Sequence, residues 1–259
     1  MKRIDLNCDM GESFGVYKLG MDEEVIKLIT SANIACGFHA GDPNVMDHTI
    51  KMAKDNNVGI GVHMGFPDLL GFGRRNMDVS YQDLVNYNIY QIGALEAFCR
   101  KHDVKIQHIK PHGNMNNMAD TDRVIAEAIV DSVRMALPET PIFVKPGSEL
   151  QKVSEERNVP FILEIFADRA YNKDGTLVSR KIPGAVINDP KTAAENVVRM
   201  VVDGKVKTID GELIDMSGES ICVHGDTQGS LEIIRYLRSE LENAGVQIIP
   251  ISQKLEEAR

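Results

Sequence analysis

The stretch IDLNCD at residues 4–9 is a short apolar run that ends on an acidic residue. Six further apolar runs also end on a polar or ionisable residue at their C-terminal side. In parallel α/β proteins, ligands bind where the strands end at their carboxyl edge. The pattern therefore predicts one active face at the ends of seven strands. The runs are 4–9 (IDLNCD), 32–39 (ANIACGFH), 58–63 (VGIGVH), 106–112 (IQHIKPH), 142–145 (IFVK), 161–169 (FILEIFADR) and 221–226 (ICVHGD).

Segments with apolar residues three and four positions apart separate most of these runs and predict helices. Alternation of strands and helices indicates βα units and a parallel sheet. A chain of 259 residues with 43% hydrophobic content has the length of one α/β barrel. We therefore predict a single (β/α) barrel domain over residues 1–259, with about seven parallel strands. The predicted helices are 22–29, 44–55, 81–101, 122–136, 149–156, 190–202 and 227–244, with a small β-hairpin at 206–214.

Charge and composition narrow the classes of partner. The net charge is -9 and no lysine or arginine run occurs, which argues against nucleic acid as a partner. No apolar stretch reaches the roughly 20 residues of a membrane helix, and the N-terminus lacks a signal-peptide core. We expect a soluble, cytoplasmic protein without a membrane partner. The four cysteines suggest free thiols and neither a disulfide framework nor a CxxC metal site.

Two segments are longer than ordinary connections and rich in glycine, proline and charge. They are 65–80 (GFPDLLGFGRRNMDVS) and 171–189 (YNKDGTLVSRKIPGAVIND). Loops of this kind often cover or bind ligands, so both are candidate lids or binding loops. A structural Ω-loop is an equally good interpretation of the second.

Histidines give the strongest chemical signal. Four of the seven histidines lie at the ends of four different apolar runs. Four histidines on one predicted rim are difficult to explain by packing alone. These four are therefore candidate acid–base groups or ligands: His39, His63, His112 and His224. The other three are expected to be structural: His48, His102 and His108.

Acidic and basic residues accompany these histidines. Asp9, at the end of the first run, suits an orienting carboxylate, a general base or a hard-metal ligand. Asp42 precedes Pro43 and is expected to cap a helix as well as to contact substrate. Lys110 and Lys145 end strands before a proline, where a mouth position is favoured because lysine is rarely buried unpaired. The pair Arg74 and Arg75 in a long loop suits a clamp for a carboxylate or phosphate.

Several motifs are missing from the sequence. It contains no GxxxxGK[ST] loop, no GxGxxG at a helix start, no GxSxG elbow and no HExxH helix. If a nucleotide takes part in the reaction, this chain does not bind it through a P-loop.

Seven motifs, DLNCDMGE, SANIACGFHAGDP, HMGFPDLLGFGRR, KPHGNMNN, EIFADRAY, GTLVSR and ICVHGDT, resemble the LamB/YcsF family in order from residue 5 to about residue 227. The resemblance implies a distorted, TIM-like barrel of seven strands related to glycoside hydrolase and deacetylase barrels. It also implies the activity of the A subunit of prokaryotic 5-oxoprolinase, the ATP-dependent opening of 5-oxo-L-proline to L-glutamate. ATP is then a co-substrate of a complex with separate B and C subunits, and ADP and phosphate are released.

The sequence departs from the family pattern near three of these motifs. HMGFPD replaces HPGYPD, KPHGNMNN replaces KPHGALYN, and HGDTQGSL replaces HGDTPGAV. Asn116 thus stands at a tyrosine position and removes an aromatic hydroxyl beside His112. The ionisable residues of the motifs are retained.

We predict hydrolysis of a lactam C–N bond at the barrel mouth. In this hypothesis Asp9 and His39 or His112 activate water, Lys110 and Lys145 stabilise negative charge, and Arg74 or Arg75 anchors a carboxylate. The predicted catalytic residues are Asp9, His39, His63, His112 and Lys110. The predicted substrate-binding residues are Asn7, Glu12, Asp42, Arg74, Arg75, Lys145, Glu164, Asp168, Arg169, His224 and Asp226.

Two other interpretations stay open. One is a metal-dependent hydrolase of the deacetylase type, in which Asp9 and a pair of histidines hold a divalent ion at the mouth. The paired HxxxH spacing of many such sites is absent, and no metal ligand is assigned. The other is a non-catalytic subunit that only presents a lactam to its partners. The oligomeric state is also open, and a homo-oligomer is one alternative.

Overall fold

The structure is a computed structural model that describes residues 2–224 and 229–253. The strands are β1 (Arg3–Met10), β2 (Ser31–Ala35), β3 (Gly59–Met64), β4 (Ile106–Pro111), β5 (Ile142–Val144), β6 (Phe161–Phe166), β7 (Lys205–Lys207), β8 (Leu213–Asp215), β9 (Ser220–Val223) and β10 (Gln247–Ile248). The helices are α1 (Asp22–Val25), α2 (Pro43–Asp55), α3 (Tyr81–Lys101), α4 (Gly113–Met118), α5 (Arg123–Ala136), α6 (Glu149–Glu156), α7 (Pro190–Asp203) and α8 (Ser230–Asn243).

Seven parallel strands close into a barrel. Strands β1 to β6 pair in chain order, β6 pairs with β9, and β9 pairs with β1, where Leu6 lies opposite Ile221. The predicted (β/α) barrel of seven strands is thereby confirmed. The short strand β10 extends the sheet at Arg3, and β7 and β8 form the antiparallel hairpin predicted at 206–214.

Side-chain caps set the starts of most of the longer helices. Ser80 and Ser148 accept hydrogen bonds from backbone N–H groups in the first turns of α3 and α6, whose predicted bounds are confirmed. The prediction for 22–29 was too long, because the chain after α1 turns towards β2 and the Thr30 N–H donates to the Leu6 carbonyl. Helix α4 was not predicted. None of the described helices is long and apolar enough to cross a membrane.

Polar side chains fill much of the barrel interior, where branched apolar residues are usual. At the amino-terminal end, Asp5 accepts hydrogen bonds from the hydroxyls of Thr30, Ser31 and Ser220. Burial raises the pKa of Asp5 to about 6. One layer above, His108 stacks on Phe143 with ring centroids 4.2 Å apart. The polar interior therefore begins well below the mouth.

Glycine on β3 makes room for His108. A Cβ atom at Gly61 would lie 2.0 Å from His108 Nε2, well inside van der Waals contact. The ring is wedged between the sheet and Phe143 and cannot retreat without breaking its stack. The glycine is therefore required by the packing of the barrel interior.

We expect Gly61→Ala to destabilise the protein by about 1–3 kcal/mol, the usual penalty for overpacking a core. The matched control is Gly93→Ala in α3, where an added Cβ meets nothing within 4 Å. Because alanine is the better helix former, that variant should gain about 0.5–1 kcal/mol. Urea denaturation of both variants measures the difference, and equal stability of the two would contradict this packing.

Candidate active site

A cavity of about 1010 Å³ opens at the carboxyl ends of the barrel strands. Polar and charged side chains from β1, β3, β4 and the segments after β5, β6 and β9 line it. The single site face predicted from the ends of the apolar runs is thus present. The predicted site residues in its lining are Asp9, His63, Arg74, Arg75, Lys110, His112, Lys145, Arg169 and His224.

Lys110 forms the floor of this cavity. Its Nζ lies 3.0 Å from Asp9 Oδ1 and 3.0 Å from Glu164 Oε1. It also lies 2.9 Å from Cys222 Sγ and 3.2 Å from Asn7 Oδ1. Burial alone would lower the pKa of Lys110, but Asp9, Cys222 and Glu164 outweigh it and hold the pKa well above its usual value. The side chain is therefore an ammonium, buried between two carboxyl groups.

Amide side chains hold the carboxyl groups in place beneath Lys110. Asn33 Nδ2 donates to Asn7 Oδ1 at 2.7 Å and to Asp9 Oδ1 at 2.9 Å. Asn7 Nδ2 in turn donates to Glu164 Oε1 at 3.0 Å. Because His108 Nε2 lies 2.6 Å from Asn33 Oδ1, a carbonyl oxygen that only accepts, the ring donates to it. The layer connects β1, β2, β4 and β6.

Backbone carbonyls fix where His63 and His112 carry their hydrogens. His63 Nδ1 lies 3.0 Å from the Lys110 carbonyl oxygen, and His112 Nε2 lies 2.8 Å from the Phe72 carbonyl oxygen. A carbonyl oxygen only accepts, so both ring nitrogens are donors. The other two nitrogens, His63 Nε2 and His112 Nδ1, face each other at 2.9 Å.

His39 and Glu12 lie behind this pair and outside the cavity lining. The His39 ring stacks on His112 with centroids 3.7 Å apart, and His39 Nε2 lies 3.3 Å from Glu12 Oε1. Burial lowers the pKa of His39 and of His112 well below the usual value. Both imidazoles are therefore neutral near pH 7.

Asp9 joins the histidine cluster to Lys110. Its Oδ2 lies 3.3 Å from His63 Nε2, while its Oδ1 contacts Lys110. Burial alone would raise the pKa of Asp9, but His63 and Lys110 outweigh burial and hold it well below the usual value. Asp9 is thus an ionised carboxylate that lines the cavity and can accept a hydrogen bond from a molecule bound there.

A second histidine and carboxylate pair lies at the end of β9, next to β1, with donor atoms of His224 and Asp9 within 4.8 Å of each other. Both carboxylate oxygens of Asp168 lie 2.9 Å from His224 Nδ1, and Phe166 stacks on the ring. Asp168 is fully buried, whereas His224 lines the cavity. This arrangement fixes the ring through Nδ1 and leaves acid–base chemistry to Nε2.

Cations from the two long loops and from the end of β5 form the rim. Arg74 lies over the Phe72 ring, Arg75 pairs with Asp68, and Lys145 Nζ lies 2.5 Å from Asp120 Oδ2.

The Arg169 guanidinium donates to the carbonyls of Val178 and Ala185 and so holds segment 171–189 over the cavity. That segment adds Arg180 and Lys181 to the lining. Both loops predicted as lids or binding loops thus border the cavity.

The structure does not bring every predicted residue to the cavity. The carboxylate of Asp42 accepts from the N–H groups of Asn44 and Val45 as the cap of α2, and from that of Gly15. Asp226 lies outside the described residues. Five others stand behind the lining and contact residues within it: Asn7, Glu12, His39, Glu164 and Asp168.

Sequence reasoning missed several residues of the polar floor. Asn33 is the one polar residue inside the apolar core of its run, and Ser220 and Cys222 alternate along β9. Asn33 could have been found, because side chains two positions apart share a face of a strand and Asn7 and Asp9 already mark that face on β1. Cys222 carries no comparable signal in the sequence. Its contact with Lys110 depends on the register of strands far apart in the chain.

Among the described residues, two groups have donor atoms close enough to hold a metal ion. One consists of Glu12, His39, His63 and His112, and the other of Asp9, Cys222 and His224. Within each group the donor atoms lie within 4.8 Å of one another. From the sequence, no metal ligand was assigned and a metal-dependent hydrolase was one open interpretation. The two groups add metal-assisted hydrolysis to the chemistry that this site could support.

Comparisons with known proteins show the family of this chain and agree with its barrel fold. A model of the LamB/YcsF family matches residues 4–256. The 5-oxoprolinase A subunit of Coprothermobacter proteolyticus is 50% identical over 256 residues, covering 99% of this chain and 98% of that protein. The crystal structure of a lactam utilization protein from Thermus thermophilus has a TM-score of 0.91 and 40% identity, covering 95% of this chain and 99% of that chain. A peptidoglycan deacetylase, PdaC from Bacillus subtilis, has a TM-score of 0.50 at 12% identity over 98% of this chain and 90% of that chain, which shows a related fold alone.

Replacing Lys110 with methionine should destabilise the protein by about 3–5 kcal/mol, because Asp9 and Glu164 lose their shared cation in the buried floor. Adding Glu164→Gln should recover part of the loss, so the two changes should not be additive. Thermal and urea unfolding measure both effects. As a control, Lys51→Met breaks an exposed pair with Asp55 and should change stability by less than about 1 kcal/mol. Additive effects of the two buried substitutions would contradict the shared ion pair.

Proposed function

Because the chain belongs to the LamB/YcsF family, we propose that it is the A subunit of a 5-oxoprolinase and hydrolyses the cyclic amide of 5-oxo-L-proline to L-glutamate. The proposal is supported by relatives of that name that match almost the whole chain at about half identity. The main structural support for this function is the buried ammonium of Lys110 beside the ionised Asp9 at the cavity floor. Together they supply charge stabilisation and a base within one small volume.

We propose that ATP is a co-substrate of the assembled complex and that separate B and C subunits use it. An amide is a poor electrophile, and phosphorylation of its oxygen creates a centre that water attacks more readily. This chain carries no P-loop sequence, which fits a nucleotide site on a partner. The need for ATP favours the cytoplasm as the location of the complex.

Attack by water is assigned to the side of the cavity that holds Asp9 and His63. Asp9 is an ionised acceptor that lines the cavity, so a water between it and the substrate can lose its proton to this carboxylate. His63, whose Nε2 lies 3.3 Å from Asp9 Oδ2, is oriented by its Nδ1 hydrogen bond to the Lys110 carbonyl. The Lys110 ammonium, at the centre of the floor, stabilises negative charge that develops on the carbonyl or phosphate oxygen.

Departure of the ring nitrogen needs a proton, and His224 is the group that we assign to deliver it. The histidine lines the cavity, and Asp168 holds its Nδ1. A carboxylate that orients an imidazole in this way favours proton transfer through the opposite nitrogen. The C–N bond then breaks with the electron pair going to nitrogen and the proton coming from Nε2. This leaves an acyl phosphate, which a second water cleaves to the glutamate carboxylate and phosphate.

The substrate carboxylate is assigned to the cationic rim. Arg74 lines the cavity from the first long loop, and Arg180 lines it from segment 171–189. A guanidinium presents two parallel N–H donors that match a carboxylate. We therefore assign carboxylate binding to Arg74, with Arg180 contributing from the second loop.

We expect Asp9→Asn to lower glutamate formation by about 10²–10⁴-fold, the usual contribution of a positioned base. The assay uses the complex reconstituted with B and C subunits and follows glutamate release and ATP hydrolysis on 5-oxo-L-proline. Asp47→Asn is the control, because Asp47 pairs with Lys101 and His102 on the surface. A folded Asp9→Asn protein with turnover close to that of the control would refute the assignment.

A further inference from the structure

The facing nitrogens of His63 and His112 cannot both be satisfied by neutral rings alone. His63 donates through Nδ1 and His112 through Nε2, each to a backbone carbonyl. In neutral imidazoles the other two nitrogens are then lone-pair acceptors, and they stand 2.9 Å apart. Two acceptors at this separation repel each other unless a cation lies against both. The cation is either a shared proton or a metal ion.

We infer that Glu12, His39, His63 and His112 bind a divalent transition-metal ion, with Zn²⁺ as the first candidate. A shared proton requires two acceptors, whereas this cluster presents more. Glu12 Oε1 lies 3.7 Å from His112 Nδ1 and 3.3 Å from His39 Nε2. One donor atom from each of the four residues falls within 4.8 Å of the others. Three imidazoles and one carboxylate form a donor set suited to Zn²⁺.

The hydrogen bonds behind the two central ligands match those of metal-binding histidines. Such a histidine nearly always donates its second N–H to a carboxylate or backbone carbonyl, which fixes the tautomer and the ring direction. His63 and His112 both do so, towards Lys110 and Phe72. A purely structural histidine pair has no need for two fixed tautomers that turn their lone pairs towards each other.

The buried charge of the floor also favours a dication. Two buried carboxyl groups lie in or beside the cluster, Glu12 and Asp9, and a third, Glu164, lies at Lys110. Lys110 contacts Asp9 and Glu164, and Asp9 Oδ2 also reaches His63 Nε2 at 3.3 Å. Buried carboxylates need compensating positive charge. A dication beside His63 would stand next to Asp9 and Glu12 and supply it.

The position of the cluster suits a reactive site. His63, His112 and Asp9 line the cavity, while His39 and Glu12 close the cluster from behind, so one side of the cluster faces the cavity. Zn–N bonds of about 2.1 Å at tetrahedral angles place two nitrogens about 3.4 Å apart, so His63 and His112 would separate by about half an ångström on binding. His39, which stacks on His112, would have to turn out of this stack for its Nε2 to reach the same ion. A bound ion would supply Lewis-acid activation of water. That role rests on the proposed function, whereas metal binding itself does not.

The test measures binding directly. The full-length chain is stripped with chelator, dialysed against Zn²⁺ and analysed by elemental mass spectrometry, and Co²⁺ loading is followed by its visible absorption. We expect one ion per chain, a thermal midpoint that rises with Zn²⁺ concentration, and an intense Co²⁺ band typical of tetrahedral coordination. Less than about 0.1 ion per chain in the folded wild-type protein would overturn the inference.

Variants locate the ion. His112→Ala and the near-isosteric Glu12→Gln should each weaken Zn²⁺ binding at least 100-fold, and circular dichroism verifies folding. The matched control is His102→Ala, whose ring pairs with Asp47 on the surface and should leave binding unchanged. Stoichiometric binding that survives both site substitutions would place the ion elsewhere and overturn the inference. Metal binding without glutamate formation by the complex would refute the proposed function alone, and glutamate formation by metal-free protein would refute the role of the ion.

Discussion

The ammonium group of Lys110, buried between Asp9 and Glu164, is the interaction on which the rest of the site depends. Moving charges out of water costs several kcal/mol per ion, and this is offset only when each charge keeps its partners in good geometry. Here the partners come from β1, β4 and β6, and amide groups of Asn7 and Asn33 hold them. The registers of these strands and the polar floor therefore stabilise each other. Removing one partner from this network would leave a buried charge without compensation.

Two unlike histidine environments border this floor. His63 contacts Asp9 and stands beside the neutral, stacked imidazoles of His39 and His112. His224 is oriented by the buried Asp168. Hydrolysis of an amide needs both a group that takes a proton from water and a group that gives one to the leaving nitrogen. The difference between the two environments matches that requirement.

The sequence predicted the barrel well because its strands and helices have different, local periods. The same logic located His63, Lys110 and His112, since parallel strands bring the ends of apolar runs to one edge. It did not reveal that His39 lies behind His112, or that Cys222 contacts Lys110. Both facts depend on side-chain directions and on strand register between residues far apart in the chain. For Asp42, the local signal was correct and the expected contact with substrate was not supported. The residue caps α2 as predicted, but it does not line the cavity, although it is only three positions from His39 in the sequence.

The central claim is that the barrel mouth binds a lactam with its amide carbonyl over the Lys110 floor. The most direct measurement is a crystal structure of this chain soaked with 5-oxo-L-proline. The account predicts the carbonyl oxygen within hydrogen-bond distance of Lys110 Nζ, the ring nitrogen on the His224 side and the carboxylate at the Arg74 rim. A lactam bound outside the cavity, or inside it with the carbonyl turned away from Lys110 and His63, would contradict the account.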